Sequence, residues 1–596
     1  MATSPLSSLL LLTIVILLLG QGGVHKIEAS HEVYKGYQSL ETIPPKFQPY
    51  RTGFHFQPPR NWINGFAGPM VYKGIYHLFY QYNPKGSVWG NIVWAHATSK
   101  DLVNWELQPV ALSAAEPNMD INGAWSGSAT ILPGGKPVIL YTGVNSKNQQ
   151  VQNVAVPKNT SDPYLIEWTK PPQNPIMSPT TQNQINSSSF RDPSTGWLGP
   201  DNIWRVVVGS KIGRRGVAIL YKSKDFVNWV KDEKPLHSAH GDGMWECPAF
   251  YPVSVGNRNS VDTSKSSHDL NVKYVLKMSL DDIKHDYYTV GSYSYHTDVY
   301  TPNKGSIENG FSGLRYDYGK LYASKSFYDG EKNRRVLWGW VNESSSVDDD
   351  VKKGWSGVMA VPRRIWLDKS GKQLHINPVQ EIAKLRVNPV NLRNHVLKPS
   401  SLLKVHNITA AQADVEIAFE GLDLSKAEVL DPSWISKPQV LCNQNDSSVG
   451  GSLGPFGLRV LASRGMEEYT SVFFRVFKKY TKSNQHMVLM CSDQRTIAMH
   501  IPFRSSLDKD VDKSNYGAFV DVNPAHEKLS LRTLIDHSIV ESFAAKGKSC
   551  ITSRVYPKLA INKAAHLYAF NDGLQSVKIS RLNAWSMKSV QITGKQ

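Results

Sequence analysis

Ser99-Lys100-Asp101-Leu102-Val103-Asn104-Trp105 returns as Ser223-Lys224-Asp225-Phe226-Val227-Asn228-Trp229, with one apolar residue exchanged. Each copy follows a β-type run, Ile92–Ala97 in the first case and Gly216–Lys222 in the second. A phrase that recurs after a strand marks a repeated supersecondary unit. Among all-β designs it favours propeller blades over a sandwich. Working outward, Val71–Gln81, Ala124–Leu132, Val138–Thr142, Trp204–Ser210, Tyr274–Met278 and Tyr287–Tyr293 are further short apolar runs, broken by Gly, Pro, Asn and Asp. From about residue 48 to 370 no helical period appears, so the spacing predicts strands joined by turns. Pro378–Arg386 is the only helix-like piece and reads as a hinge. Beyond it Val415–Phe419, Thr470–Phe477, His486–Cys491, Ala518–Val522, Ile539–Phe543 and Leu567–Phe570 predict two packed sheets.

The chain has 596 residues, which predicts two domains and a processed end. Leu9–Leu19 is an apolar run followed by small residues up to Ala29-Ser30. It is too short for a membrane span, which needs about 20 residues, and predicts a signal peptide over 1–30. No membrane partner is expected. Five N-x-S/T sequons, at Asn159, Asn186, Asn342, Asn407 and Asn445, fit a secreted glycoprotein. The four cysteines are too few for a disulfide scaffold. Cys442 and Cys491 share the C-terminal half and are paired in this reading, Cys247 is a buried free thiol, and Cys550 has no evident partner. No zinc-type Cys/His spacing occurs, and neither metal nor cofactor is expected. The net charge is +17, which favours retention by polyanions. The charge is dispersed and no nucleic-acid motif accompanies it.

Three short motifs carry the chemistry. Glu246, in Met244-Trp245-Glu246-Cys247-Pro248, is an acid set among apolar neighbours that raise its pKa, as a proton donor requires. Asp192 lies in Phe190-Arg191-Asp192-Pro193, and a third motif runs Asn61-Trp62-Ile63-Asn64-Gly65-Phe66-Ala67-Gly68-Pro69-Met70. In chain order, Asn61–Met70, then Trp125-Ser126-Gly127-Ser128, then Phe190–Pro193, then Met244–Pro248, they resemble glycoside hydrolase family 32, the plant acid invertases and fructan exohydrolases. The resemblance runs from about residue 48 to 590, through Leu314–Gly319, Trp338–Trp340, Gly354–Gly357 and Leu534–Phe543.

The resemblance implies a five-bladed β-propeller over 48–385 followed by a β-sandwich over 395–590. It implies retaining hydrolysis of terminal β-D-fructofuranosides, sucrose or fructans, by two carboxyl groups. Glu246 would be the acid/base and Asp192 the transition-state stabiliser. The attacking Asp of the family's W-x-N-D-P-N-G motif is missing: Gly65, Phe66 and Ala67 replace Asp, Pro and Asn. Trp62, Asn64, Gln81, Trp89, Trp125, Ser126 and Arg191 would bind the sugar. Asp281 and Lys284 resemble the acid–lysine couple that holds the glucose of sucrose, with Asp282 and Asp286 as nearby competitors. Pro248 and the positive charge point to the cell-wall branch, hence to the apoplast, to pectin as polyanion and to a proteinaceous invertase inhibitor as partner. A further departure is Ala249, where the family has Asp.

The change at 65–67 is confined to three consecutive residues. Plant genes of this family commonly encode that tripeptide on a nine-base exon, so one exchanged exon would account for it. The alternatives are a homologue that binds sugar or modulates invertase without cleaving, and a wall-bound lectin-like module.

Overall fold

The computed structural model describes residues 48–594 apart from 263–270, 309–311, 446, 481–484, 495–511 and 513, with the backbone alone of Phe66. The expected signal peptide lies outside the described residues. Five antiparallel sheets follow one another along the chain, and each has four principal strands. They are Asn61–Phe66, Ile75–Tyr82, Val93–Ser99 and Trp105–Leu112; Ala124–Leu132, Lys136–Val144, Gln150–Pro157 and Trp168–Thr169; Phe190–Arg191, Trp204–Ile212, Arg215–Ser223 and Val230–Lys231; Trp245–Ser254, Val272–Leu280, His285–Ser294 and Val299–Pro302; and Leu321–Asp329, Arg334–Val341, Arg363–Leu367 and Leu374–Pro378. These are the blades of a five-bladed propeller. Blades pack face to face, so Ile75–Tyr82 and Arg334–Val341 are buried at every position and show no polar alternation.

The repeated heptapeptide joins the third strand of a blade to the fourth, in the first and third blades alike. In both copies the Asp accepts from two backbone amides, Val103 and Asn104 at 3.0 and 2.8 Å, Val227 and Asn228 at 2.9 and 2.7 Å. The apolar residue between, Leu102 or Phe226, has φ +64° or +66° and is buried. The Asp side chain thus holds a left-handed residue that would otherwise be unfavourable.

The ring closes through the segment after the fifth blade's second strand. Val358–Met359 pairs with Trp340–Val341, and Trp355–Ser356 pairs in parallel with Asn61–Trp62 of the first blade. A seven-residue α-helix, Val347–Lys353, precedes this seal. Another, Pro438–Gln444, is bonded to the strand His486–Asp493 by the Cys442–Cys491 disulfide. These helices correct the expectation that Pro378–Arg386 is the only helical piece; there Gln380–Leu385 forms a 3₁₀ turn. Both are too short to carry a hydrophobic period. The first is announced only by its capping box, Ser346 with Asp349, and by Gly354 at its end (φ +74°).

The two remaining large sheets form a β-sandwich. One runs in the order Arg386–Leu397, Val577–Met587, Gln412–Glu420, Leu529–Asp536, Ile539–Ala544, Ser549–Arg554; the other is Ser401–Lys404, His566–Asn571, Phe456–Ala462, Thr470–Lys479, His486–Asp493, Tyr516–Val520. Val415, Ile417, Val472, Phe474, Leu531 and Leu582 meet between them. The last strand, Ile592–Gly594, leaves the sandwich and pairs in parallel with Trp105–Leu107 on the outer edge of the first blade. Cys247 and Cys550 are buried free thiols.

Propeller and sandwich meet across a buried ionic chain. His55 places Nδ1 2.8 Å from Asp536 and Nε2 3.1 Å from Glu541, all three side chains being fully buried. Arg363 donates to Glu541 at 2.9 Å and to Asp317 at 2.8 Å. Backbone amides of Gly53, Phe54 and His55 donate to Asp536, so the carboxylates are saturated. Burial lowers the His55 pKa, but Asp536 and Glu541 outweigh it and the net shift is upward. Burial raises Asp536 and Glu541, yet His55 for the first and Arg363 for the second bring both below their ordinary values. The raised histidine stabilises fully below its unfolded pKa of about 6.5 and loses this as pH rises through its folded value. The depressed carboxylates stabilise above about 4.5 and lose this as pH falls through theirs. Calorimetric melting should therefore peak within this acid window. His55→Gln should cost on the order of 3–5 kcal/mol and flatten the alkaline limb of the profile; an unchanged limb would exclude His55 as its origin.

Candidate active site

Each blade enters the ring at its innermost strand, and the start of that strand carries the residues singled out by the motifs. Trp62, Asn64 and Gly65 begin the first, Trp125 and Ser126 the second, Arg191 and Asp192 the third, Glu246 and Cys247 the fourth, Tyr322 and Ala323 the fifth. In four of the five the ladder to the next strand slips at this point, between Asn64 and Phe66, Ala124 and Gly127, Glu246 and Ala249, and Tyr322 and Lys325. In the third the strand stops at Asp192, whose φ is +66°. Cys247 and Ala323 lie within their slips at φ +45° and +51°. Bulges and left-handed residues re-aim side chains toward the axis, and their clustering here marks a functional mouth.

Glu246 is the hub. Its carboxylate accepts from Arg191 Nε at 2.9 Å and from the Tyr322 hydroxyl. Arg191 also donates to Asp281 at 3.1 Å, and Asp281 pairs with Lys284. Lys284 in turn lies 5.2 Å from the centre of the Tyr322 ring. Burial raises the Glu246 pKa; Arg191 opposes this, Asp281 reinforces it, and the net shift is upward. Burial also raises Asp281, but Lys284 and Arg191 outweigh it and keep the group ionised. Two carboxyls sharing one guanidinium are thus pushed apart, one toward the acid form and one toward the base.

Asp192 accepts from the Cys247 amide at 2.9 Å, and its own amide donates to Thr142 Oγ1 at 2.7 Å. The Cys247 thiol is raised well above its ordinary value by burial and by Asp192, so it stays neutral. Gln81 lies opposite Asn64 across the first two strands, Gln81 buried and Asn64 half-buried. The Trp62 ring is 6.4 Å from that of Trp340, and Trp89 and Trp125 meet edge to face at 6.0 Å. Ser126 is buried. Of the acids near Lys284, Asp281 faces the site, Asp282 is exposed, and Asp286 is buried beneath the mouth.

Several residues here carried no sequence signal. Tyr322, Thr142 and Gln150 (3.4 Å from Arg191) lie in ordinary strand sequence. Asp286 accepts from the amides of Ala323 and Ser324 at 3.2 and 2.9 Å and pairs with fully buried Lys277 at 3.2 Å, so it shapes the fifth blade's slip. Lys325 donates to Ser128 Oγ at 3.1 Å and to the Pro248 carbonyl at 3.3 Å, tying three blades together.

At Gly65 itself a Cβ would lie 2.8 Å from the Ala323 Cβ and 3.0 Å from its carbonyl oxygen. The inner strands of the first and fifth blades approach too closely for a side chain at 65 without a small separation. Ala249 pairs with Lys277 across its ladder.

The model for the N-terminal domain of glycosyl hydrolases family 32 matches residues 55–378, and that for the family's C-terminal domain matches 381–586. The chain belongs to glycosyl hydrolase family 32. Among its relatives in the family, the β-fructofuranosidase insoluble isoenzyme CWINV1 of Arabidopsis thaliana is 61% identical over 97% of this chain and 98% of its own. The cell-wall β-fructofuranosidase of Pisum sativum is 59% identical over 94% and 99%. The fructan 6-exohydrolase of Beta vulgaris is 59% identical over 91% and 88%. Among solved structures, fructan 1-exohydrolase IIa from Cichorium intybus superposes with TM-score 0.88 at 50% identity, covering 93% of this chain and all of that one.

The two charges on Glu246 can be separated experimentally. Arg191→Gln should move its titration upward and Asp281→Asn downward, read by isotope-edited infrared spectroscopy of the carboxyl. Shifts of the same sign would contradict the arrangement described.

Proposed function

We propose that the propeller mouth takes terminal β-D-fructofuranosyl groups, with sucrose or a short fructan as ligand. Glu246 would protonate the leaving oxygen and later activate water, and Asp192 would hold the fructose hydroxyls and steady the cationic transition state. Trp62, Asn64, Gln81, Trp89, Trp125, Ser126 and Arg191 would form the rest of the fructose site. One observation carries the reading: a carboxyl raised by burial and clamped by Arg191 and Tyr322 stands at the mouth beside Asp192. Relatives named as β-fructofuranosidases and fructan exohydrolases support it, as does a variant of the Cichorium intybus enzyme captured with 1-kestose. The Asp281–Lys284 pair favours sucrose.

The attacking half of the two-carboxylate mechanism has no side chain at Gly65. This favours a second reading, a homologue that binds fructosides and cleaves them poorly. The domain carrying the mouth is assigned to 48–385 and the sandwich to 395–590, reaching back through its edge strand to Arg386. The names of relatives support residence in the cell wall; pectin as polyanion rests on the net charge of +17, and a proteinaceous inhibitor as partner on the family resemblance. Sequons Asn159, Asn186 and Asn407 are exposed, and Asn342 and Asn445 half-buried, so the first three are the accessible acceptors.

With Gly65 in place, sucrose turnover should fall ~10⁴–10⁶-fold below that of an ordinary family member. Turnover within about tenfold would show that the nucleophile lies elsewhere. Replacing Gly65→Asp, Phe66→Pro and Ala67→Asn together should restore retaining hydrolysis. Gly65→Asp alone should restore less and melt lower, because the Cβ crowds Ala323 and no proline ring fixes the turn. A triple variant that turns over only when Ala249→Asp is added would make the Lys277 pairing a second requirement.

A further inference from the structure

On the side of the propeller away from the mouth, a cleft of about 490 Å³ opens along the seam with the sandwich. The strands Trp245–Ser254 and Leu321–Asp329 begin at the mouth, and Arg258 and Lys332 follow their far ends, roughly 30 Å away at about 3.3 Å per residue. Arg334, Arg364, Arg532 and Lys546 complete six cationic side chains against one carboxylate, Glu381.

The cleft already demonstrates the chemistry it favours. Arg334 grips Glu381 with two parallel bonds of 2.9 and 2.8 Å, and Lys332 adds a third of 2.6 Å. That leaves the other cations in excess. Arg532 is engaged by Asp414 of the sandwich. Arg364 donates to the Arg258 carbonyl at 2.7 Å, its Nε has no hydrogen-bond partner, and no carboxylate among the described residues pairs with it. Burial and the charges of Arg334 and Arg258 lower its pKa and outweigh Glu381, which raises it. Arg258 lies 5.3 Å from the centre of the Trp366 ring, itself stacked on His375, so this guanidinium has a rigid support. The Lys546 carbonyl accepts from Asn377 and from His375 at 3.0 Å, which fixes the Lys546 loop beside the cleft.

We infer that this cleft binds an acidic oligosaccharide, a short run of uronic acid residues whose carboxylates pair with Arg258, Arg364 and Lys546. Planar forked guanidinium groups match carboxylates. The volume lies in the range that holds oligosaccharide-sized ligands and exceeds what one small anion fills. The inference rests on the polyanion reading above for the class of ligand, and it locates on a few residues what net charge alone would spread over the surface.

Titration calorimetry of the full secreted chain tests this with a galacturonic acid tetramer, its methyl-esterified form and inorganic phosphate. The acid tetramer should bind and the ester should not. Arg258→Gln with Arg364→Gln should weaken binding at least about tenfold. The exposed pair Lys100→Gln with Lys147→Gln, which removes equal charge elsewhere, should leave it unchanged. Because Arg364 is half-buried, melting temperatures accompany each variant, and Arg258→Gln with Lys546→Gln, both exposed, should weaken binding in the same direction. Equal loss in the cleft and control variants would overturn the site and leave diffuse attraction standing. No binding of the acid tetramer by the parent would overturn both. Phosphate binding as tight as the tetramer's, and lost in the same variants, would replace the saccharide with a small-oxyanion site.

Discussion

Five inner strands converge on one axis, and the axis has no room for five regular ladders. That constraint governs most of what is unusual in the molecule. Each blade breaks its pairing where it reaches the mouth, by a slip in four cases and by ending at Asp192 in the fifth. The breaks free backbone amides, and charged side chains take them up. Cys247 donates to Asp192, Ala323 and Ser324 to Asp286, while Lys277 and Lys325 collect the stray carbonyls and hydroxyls. The side chains proposed for binding and catalysis are aimed by the same disruption. A regular sheet would point alternate residues into neighbouring blades instead.

Gly65 sits inside one of these breaks. With glycine at this position there is no charge, and the first and fifth blades stand so close that a Cβ would touch Ala323. An exchange at this position therefore has a chemical and a steric part. Glu246 is insulated from it, since its partners Arg191 and Tyr322 come from the third and fifth blades. Ala249 is a separate matter. It lies opposite Lys277 on the fourth blade, and Lys277 already has Asp286.

The blades were legible in the chain because their signals are local. A Ser–x–Asp–apolar–x–Asn turn depends only on its own side chains, so two copies announce two equivalent corners. Strands such as Ala124–Leu132 are delimited by composition. Glu246, Asp192 and Arg191 were legible as motifs. Tyr322, Thr142, Lys277 and Lys325 were not, because nothing in sequence marks a strand residue whose partner lies two hundred positions away or on another blade. The slips themselves left no trace either: Glu246 to Ala249 reads as ordinary sequence. The short helix Val347–Lys353 is marked in the chain by its caps alone, Ser346 with Asp349 and Gly354, because seven residues are too few for a hydrophobic period.

The C-terminal strand Ile592–Gly594 gives the sandwich an unusual mechanical status. The chain enters it just after the fifth blade and leaves it to fasten on the outer edge of the first. The sandwich is spliced into the ring at two points, and ionic contacts at His55 and Arg363 lie between them. A module held by one tether can swivel; one held by two cannot, unless an end lets go. A load applied at Gly594 would be borne by hydrogen bonds to Trp105–Leu107 before it reached the sandwich. The propeller's outermost strand thereby acts as a strain relief for the domain that follows it.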